Sequence, residues 1–594
     1  SDNKTACATC HFHAGADNRT KNQFSPGADG LWNSYSANYQ FTDLDTANDF
    51  PFTDPLTLRD LDNITGSQGV RKSTFVGLSA KGVESTAAVA DTVFSVSGVN
   101  VRQATGKNSP SAVNAVFNHR NFHNGRAQPD FNGVSPWGAR DAGARVWVVG
   151  SKGSPVTIDI HIQNASLASQ AVGPPLNATE MSAAGRTFPD LGHKMLLLKP
   201  LGLQKVDPTD SVLGGIADTT TGKGLKVSYK ALIQQAFQPK WWNSNKTVSI
   251  GGKSYPMMEA NFSLFWGLSL MLYQATLVSD DSPMDQYLAL VGNARPGPDN
   301  PITTLLDPVV NRLAAEGITV TRANILNGLA LFELPLAPPP SFPPPPGFGV
   351  GCAFCHVGAE TTAASVRNMS GAGLEPGDIA FKNAGFDLRM ERMFTKMDWT
   401  PPGPLTPVPL GADQITFDPS TYAMNVTGIS GSPVPPIRLP VTVYDAGWYN
   451  IGVRPSTDDP GLDGKDPFGN SLSWTRFFQS SLTPIQVPGG GLGCATSPPA
   501  APFTSPFFGE VVNPVTGLPL LAGPLKGTEA TDVAGTFKVP GLRNVELTGP
   551  YFHNGGKATL RQVMDFYGDG GNFRNPTLSP LIVPLGLREG VDGK

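Results

Sequence analysis

Apolar residues recur every three to four positions in several stretches of this 594-residue chain, mostly in its middle third. Such a period is typical of amphipathic helices packed against a core. The predicted helices are residues 225–237, 259–278, 284–291 and 302–315. Residues 145–165 instead alternate apolar and polar side chains around a Gly-Ser-Pro turn, which predicts a β-hairpin.

The most apolar stretch of the chain is residues 262–278. It is too short to cross a bilayer, and Glu259 and Asp280 flank it with charge, so we expect no transmembrane segment. Between the regular patterns, 66 glycines and 55 prolines predict long ordered loops. With a net charge of −4, the chain lacks the basic footprint of a nucleic-acid-binding protein.

The chain is too long for one compact core, so several domains are expected. We predict an N-terminal unit over residues 1–195, a helical insertion over 196–335 and a C-terminal unit over 336–594. A proline-rich run at 335–346 leads into the last unit and is expected to be stiff and extended.

Four of the five cysteines form two C-x-x-C-H motifs. In such a motif the thiols bind the two vinyl groups of a haem covalently and the histidine binds its iron. A zinc site built from the two cysteine pairs is the alternative, but it has no need for a histidine after each pair. The motifs therefore predict two covalently bound c-type haems; their residues are Cys7, Cys10 and His11, and Cys352, Cys355 and His356.

The predicted fold class is mainly α: two cytochrome c-type haem domains with long Gly/Pro-rich loops, the helical insertion and minor β-hairpins. Covalent haem is attached outside the cytoplasm, so we expect a periplasmic or extracellular protein. The chain opens at Ser1 without Met and without an apolar signal segment, so a mature or trimmed product is expected. The fifth cysteine, Cys494, lies in a glycine-rich loop and is assigned no role.

Four further stretches resemble the bacterial di-haem cytochrome c peroxidases and their relatives. The long relatives closest in pattern are the MauG-like enzymes, which mature tryptophan tryptophylquinone, and the di-haem rubber oxygenases. The stretches are residues 106–117 (GKNSPSAVNAVF), 122–127 (FHNGRA), 170–181 (QAVGPPLNATEM) and 537–570. The resemblance implies an oxidoreductase with a peroxidatic N-terminal haem and an electron-transferring C-terminal haem.

The stretch at 170–181 matches the family's pocket above the peroxidatic haem. By this match, Glu180 is the acid/base that moves a proton between the two oxygens of peroxide, which is chemistry suited to a tuned carboxylate. Gln170 is then a hydrogen-bonding group of the pocket, and Pro174 packs over the open iron face. The alternative is that Asn177-Ala-Thr-Glu180 is a helix capping box.

In the family's peroxidases a removable histidine ligand lies in the loop before the N-x-P segment. Here that loop, residues 99–107, contains no histidine. The resemblance therefore implies a first haem with one permanently open coordination position.

The sixth ligand of the second haem falls, by the same match, on Tyr567, where the peroxidases carry Met. A phenolate favours ferric iron and lowers the potential. His553 and Met564 are the rival ligands, and a core aromatic on a helix is the alternative role for Tyr567.

A calcium ion lies between the haems in the family, held by an amide side chain, backbone carbonyls and waters, as suits Ca²⁺. The matching residues are Asn108, Thr548 and Pro550, which could alternatively be ordinary turn and loop residues.

Two further positions are assigned by the match. His123 stands where the family places an inter-haem Trp, so a role as electron relay is in doubt and a role as acid/base or propionate partner is open; Trp137 is a possible substitute relay. Arg126 is expected to pair with a haem propionate, because its fork of donors suits a carboxylate.

Three functions compete. The leading one is an oxidoreductase that uses hydrogen peroxide at the first haem and takes electrons from a small redox protein or oxidises a protein substrate. The second is an oxygenase that uses O₂ as the rubber oxygenases do. The third is an electron carrier without catalysis, which requires both irons to be six-coordinate.

Overall fold

We analysed a computed structural model of the chain. It describes all of residues 62–283, 306–333 and 535–573, and most of 5–32, 352–366 and 447–476. Residues 284–290 are described only in part, and elsewhere only isolated residues and short strands are described. The proline-rich run at 335–346 and Cys494 lie outside these residues.

Contacts divide the chain into two compact units. The first comprises Ser1–Phe52, Arg59–Val278 and Asn544–Thr559, and the second comprises Thr53–Leu58, Ser279–Arg543 and Leu560–Lys594. In this division residues 196–278 belong to the first unit. The division into 1–195, 196–335 and 336–594 stays a prediction.

Five helices of the first unit surround its main core. Their bounds are α1 Ser166–Ala171, α2 Phe188–Leu197, α3 Tyr229–Ala236, α4 Met257–Ala260 and α5 Phe262–Gln274. The helix predicted over 225–237 is confirmed at residues 229–236. The single helix predicted over 259–278 is instead two helices, α4 and α5, which meet at Asn261. The core holds Phe131, Val146, Ala168, Phe188, Leu191, Ile233, Phe262 and Phe265.

Helix α1 lies closely against α5. A Cβ added at Gly267 of α5 would come within 2.8 Å of the Phe131 ring and 3.2 Å of the Ala168 carbonyl oxygen, so only glycine fits there. Helix α2 begins at a capping box, in which Thr187 and Asp190 satisfy each other's backbone N–H. These contacts fix the ends of the segment 171–187 that follows α1.

The strands of the first unit form antiparallel pairs. They are β1 Gln23–Ser25 with β2 Ile64–Gly66, β3 Ser73–Leu78 with β4 Glu84–Ala88, β5 Ser95–Val96 with β6 Val99–Asn100, β7 Val146–Val149 with β8 Pro155–Ile158, and β9 Thr247–Ile250 with β10 Lys253–Pro256. The pair β7–β8, with Val146 opposite Ile158, is the hairpin predicted over 145–165.

Strand β4 is joined to α2 by buried charges. Glu84 accepts from Arg186 at 2.6 Å and from Lys194 at 2.9 Å. Although burial raises the pKa of Glu84, the Lys194 hydrogen bond and the Arg186 charge bring it below its ordinary value. A carboxylate held by two cations anchors the segment 171–187 from its far end.

The second unit contains three further helices in the described residues: α6 Asp307–Ala315, α7 Arg322–Glu333 and α8 Leu560–Gly568. Helix α6 lies within the helix predicted over 302–315. Tyr287, Leu306 and Val309 form a small core with side chains of α6 and α7.

The strands of the second unit are short. They are β11 Phe394–Thr395, β12 Ile415–Asp418, β13 Ala423–Val426, β14 Val441–Val443, β15 Trp448–Tyr449, β16 Glu510–Val512, β17 Pro519–Ala522, β18 Ala530–Thr531 and β19 Phe537–Lys538. Strand β14 pairs with β11 and β18, and β12–β13, β15–β19 and β16–β17 are antiparallel pairs. The described residues thus combine helices with many small hairpins, so the mainly α prediction is confirmed only in part.

None of the helices in the described part of the chain is both long and apolar enough to span a membrane.

Candidate haem sites and distal pocket

The first C-x-x-C-H motif forms a tight turn. Cys7–Thr9 is a 3₁₀ turn, and the His11 N–H donates to the Cys7 carbonyl at 2.9 Å. The His11 Nδ1 lies 2.8 Å from the Gly15 oxygen and 3.1 Å from the Pro110 oxygen. Carbonyl oxygens only accept, so Nδ1 carries the proton and Nε2 keeps the lone pair that an iron ligand needs.

Gly15 makes this arrangement possible. Its φ of +73° is left-handed, and an added Cβ would lie 2.4 Å from the Ala112 nitrogen. The Ala112 N–H in turn donates to the Gly15 carbonyl at 3.0 Å. A residue without a side chain therefore lets the segment around Pro110 approach the turn and reach His11.

The second motif has the same pattern within the second unit. The His356 N–H donates to the Cys352 carbonyl at 3.0 Å, and His356 Nδ1 donates to the Thr361 carbonyl at 3.0 Å. The Pro540 carbonyl is a further acceptor. Burial lowers the pKa of His356, which favours the neutral imidazole that binds iron. Both motifs thus fit a covalently attached haem with a histidine ligand.

The two proline carbonyls belong to an internal repeat. Residues 110–127 and 540–557 align without a gap, and the paired identical residues are Pro110 and Pro540, Asn114 and Asn544, Phe122 and Phe552, His123 and His553, Asn124 and Asn554, and Gly125 and Gly555. Their backbones agree as well: φ is +61° and +58° at the first Asn pair and +63° and +67° at the Phe pair. Each copy supplies one proline carbonyl to one haem-motif histidine.

Glu180 lies in the first unit on the segment between α1 and α2 and is half-buried. Burial raises the pKa of its carboxyl, while the positive charges of Arg126, His11 and Lys107 act in the opposite direction. The fold therefore brings Glu180, Arg126 and the first haem motif within electrostatic reach. A carboxyl with a raised pKa can hold a proton near neutral pH and release it.

Arg126 lies within electrostatic reach of Glu180. Its guanidinium stacks 3.6 Å from the centre of the Phe122 ring, and Nη1 is 3.4 Å from the Asn124 Oδ1. Burial lowers the pKa of Arg126, and the Glu180 charge opposes that effect. The stacked guanidinium is fixed in place and faces an anionic neighbour.

Gln170 and Pro174 lie at the start of the same segment. Gln170 is the next-to-last residue of α1, and Pro174 opens a 3₁₀ turn, Pro174–Leu176. Between them, a Cβ added at Gly173 would contact the Phe122 ring at 3.5 Å. Gln170 and Pro174 therefore flank a residue that lies against Phe122, and their roles in a distal pocket stay predictions.

The residues predicted to bind calcium come together in part. Asn108 Nδ2 donates to the Pro550 carbonyl at 2.5 Å and to the Phe552 carbonyl at 3.3 Å. His123 Nε2 lies 3.0 Å from the Asn108 carbonyl oxygen, so His123 is tied to this site. Thr548 is two residues from Pro550 and caps a 3₁₀ turn. Turning the Asn108 amide over would point its oxygen at the same carbonyls, as a shared cation requires.

Tyr567 lies on α8 in the second unit, and Cys352 and Cys355 are close enough to affect its ionisation. Burial raises the pKa of the Tyr567 hydroxyl, and Cys355 and Cys352 raise it further. Met564 on the same helix is 48% exposed, which disfavours it as an iron ligand. His553 is buried in the first unit, where its carbonyl accepts from the Asn108 N–H at 2.8 Å.

Two residues that contact the segment carrying Glu180 were not predicted to do so. Gln103, in the loop 99–107, is buried and its Nε2 donates to the Ala178 carbonyl at 2.9 Å. Asn177 donates through Nδ2 to the Glu180 carboxylate at 3.2 Å. The sequence carries no motif for Gln103, because its partner is 75 residues away. For Asn177 the available signal was the capping-box pattern Asn177-Ala-Thr-Glu180, which predicts a contact between these two residues.

Residues 80–293 match the family model of the di-haem cytochrome c peroxidases. Cytochrome-c peroxidase IdrP1 of Denitromonas iodatirespirans is 49% identical over 55 residues, which is 9% of this chain and 14% of the relative. Cytochrome c551 peroxidase of Nitrosomonas europaea is 48% identical over 59 residues, 10% of this chain and 16% of the relative.

Methylamine utilization protein MauG of Methylorubrum extorquens is 33% identical over 100 residues, 17% of this chain and 28% of the relative. The chain thus aligns with less than a third of the length of each of these relatives. No solved structure matches the chain significantly. The family match contains Asn108, Arg126 and Glu180. The predicted resemblance to the di-haem cytochrome c peroxidases is therefore confirmed over residues 80–293.

Proposed function

We propose that this protein is a di-haem c-type oxidoreductase that uses hydrogen peroxide at the N-terminal haem. The observation that carries the proposal is that Glu180, Arg126 and His11 lie within electrostatic reach of one another in the first unit. A carboxyl and a guanidinium beside an iron site suit the cleavage of a polar O–O bond better than oxygen insertion into an alkene, which favours an apolar pocket.

The haem, when bound through Cys7, Cys10 and His11, supplies the open iron position and the redox chemistry. Glu180 would take a proton from one oxygen of hydrogen peroxide and deliver it to the other, so that the O–O bond breaks with water as the leaving group while the haem supplies the two electrons. Gln170 would donate a hydrogen bond to the peroxide, and Pro174 would limit the space beside it. Arg126 would pair with a haem propionate. Its positive charge also lowers the pKa of the Glu180 carboxyl and so opposes the effect of burial.

The C-terminal haem, attached through Cys352, Cys355 and His356, relays or stores the oxidising equivalents. Tyr567 is the proposed sixth ligand, because its hydroxyl is buried in reach of Cys352 and Cys355 whereas Met564 is largely exposed. The electrons come from a small redox protein or from a protein substrate. Asn108, Thr548 and Pro550 hold calcium, and the protein works in the periplasm or outside the cell.

The test is to add stoichiometric hydrogen peroxide to the resting ferric holoprotein and follow the optical and low-temperature EPR spectra. Loss of a high-spin ferric signal is expected within seconds. Glu180→Gln should slow it by about 10²–10⁴-fold, the usual contribution of a positioned acid/base. A matched control is Glu316→Gln, because Glu316 is an exposed carboxylate of the second unit.

Other outcomes would replace the proposal. A high-spin haem that does not react with peroxide would favour oxygen chemistry of the rubber-oxygenase kind. Two low-spin haems that do not react would leave an electron carrier. Equal rates in the wild type and Glu180→Gln would remove Glu180 from the mechanism.

A further inference from the structure

Asn177 is the centre of the loop that carries Glu180. Its Oδ1 accepts from the Thr179 N–H at 2.8 Å and from the Glu180 N–H at 3.1 Å. Its backbone carbonyl accepts from the Met181 and Ser182 N–H groups at 3.0 and 2.8 Å. One side chain and one carbonyl therefore set the path of residues 177–182.

The same side chain also holds the Glu180 carboxyl. Asn177 Nδ2 donates to Glu180 Oε1 at 3.2 Å. In a capping box the acidic side chain would instead reach the backbone N–H of the capping residue. Here the Asn177 N–H is already bonded to the Pro174 carbonyl at 3.0 Å, and residues 178–181 form turns without a helix. The contact is therefore made to the carboxyl itself.

The loop that holds Asn177 is fixed from outside. The Val70 N–H donates to the Thr179 carbonyl at 2.9 Å, and Gln103 Nε2 donates to the Ala178 carbonyl at 2.9 Å. The backbone at Gly69 lies so close to the loop that an added Cβ would be 1.8 Å from the Thr179 carbonyl oxygen. With its backbone anchored at successive residues, the loop cannot shift Asn177 away from Glu180.

We propose that Asn177 is a positioning residue that fixes the Glu180 carboxyl through Oε1 and leaves Oε2 to exchange the proton with peroxide. This inference rests on the proposed acid/base role of Glu180. The amide donor favours the ionised carboxyl, because a hydrogen bond to a carboxylate stabilises the charged form. The amide donor therefore acts against burial, which raises the pKa of the Glu180 carboxyl, and in the same direction as the positive charges of Arg126, His11 and Lys107.

The decisive variant is Asn177→Asp in the ferric holoprotein. An aspartate keeps the acceptor for the Thr179 and Glu180 N–H groups, so the loop is retained, but it replaces the amide donor by a second negative charge. Asn177→Ala removes both the acceptor for the backbone N–H groups and the donor to the Glu180 carboxyl. Asn100→Ala is the matched control, because Asn100 likewise bonds the backbone on both sides, to Asp91 N–H and the Val89 carbonyl, away from Glu180.

Two readouts are needed. Infrared difference spectra against pH, assigned with Glu180→Gln, give the midpoint of Glu180 protonation without any peroxide. We expect the midpoint to rise by on the order of one pH unit in Asn177→Ala and further in Asn177→Asp. The low-pH limb of the peroxide reaction should move by the same amount, with a rate loss on the order of tenfold. Asn100→Ala should change neither.

An unchanged infrared midpoint in a folded Asn177→Asp protein would overturn the inference, whatever the peroxide rate. A shifted midpoint in a protein whose wild type ignores peroxide would instead refute the proposed function and keep Asn177 as the residue that orients Glu180. Equal losses in Asn177→Ala and Asn100→Ala would reduce Asn177 to an ordinary turn residue.

Discussion

At the scale of single residues, Lys538 carries its charge at an unfavourable place. Lys538 on β19 is 9% exposed, and burial lowers the pKa of its amine to about 8 from the ordinary 10.5. This difference corresponds to about 3 kcal/mol of destabilisation when the amine is charged in both states, which holds below pH 8. Between pH 8 and 10.5 the unfolded chain binds the extra proton, so this cost falls as the pH rises.

We therefore expect Lys538→Met to increase the free energy of unfolding by about 3 kcal/mol at pH 7, with little gain left at pH 10.5. Denaturant unfolding of the holoprotein at both pH values measures this. A loss of stability at pH 7 would mean that the ammonium pairs with an anionic group, such as a haem propionate, and that burial is compensated.

At the scale of elements, the turn after the first haem motif depends on how closely two segments approach. Gly15 and Gly98 both have left-handed φ, +73° and +76°, but an added Cβ at Gly98 has nothing within 4 Å. The pair therefore separates the cost of the backbone conformation from the cost of the contact with Ala112.

Gly98→Ala should cost about 1–2 kcal/mol, the penalty of a left-handed residue with a side chain. Gly15→Ala should cost clearly more, because the segment 110–112 must also move away. That movement weakens the Pro110–His11 hydrogen bond, so the iron–histidine vibration of the ferrous haem should shift in Gly15→Ala alone. Equal unfolding midpoints and vibrations in the two variants would contradict this account of the turn.

At the scale of the whole molecule, the sequence predicted what short motifs encode. The C-x-x-C-H pattern predicted the haem-motif histidines, the family resemblance proposed Glu180 and Arg126 as site residues, and the alternation around the Gly-Ser-Pro turn predicted the hairpin β7–β8. The acceptors for His11 were not predictable in this way, since Pro110 is 99 residues from it. The gapless alignment of 110–127 with 540–557 was readable from the sequence and would have indicated both proline carbonyls.

The contact of Asn108 with the second copy of the repeat has a consequence for stability. Asn108 donates hydrogen bonds to the Pro550 and Phe552 carbonyls, which are more than 440 residues away in the chain. This contact within the first unit therefore closes a very long loop of the chain. A calcium ion shared by Asn108 and the Pro550 carbonyl would strengthen that closure. A ligand that binds only the folded state stabilises it by about 2.7 kcal/mol at a hundredfold excess over its dissociation constant.

We therefore expect calcium to raise the unfolding temperature of the chelator-treated holoprotein by several degrees, at about 2–4 °C per kcal/mol for a unit of this size. Asn108→Ala should unfold at a lower temperature and lose the response to calcium, because the amide oxygen is then missing from the ion's shell. Asn132→Ala, at another buried amide of the first unit, controls for the loss of hydrogen bonds. A full calcium response in Asn108→Ala would place the ion elsewhere, and no response in the wild type would leave the closure to hydrogen bonds such as those of Asn108 with Pro550 and His553.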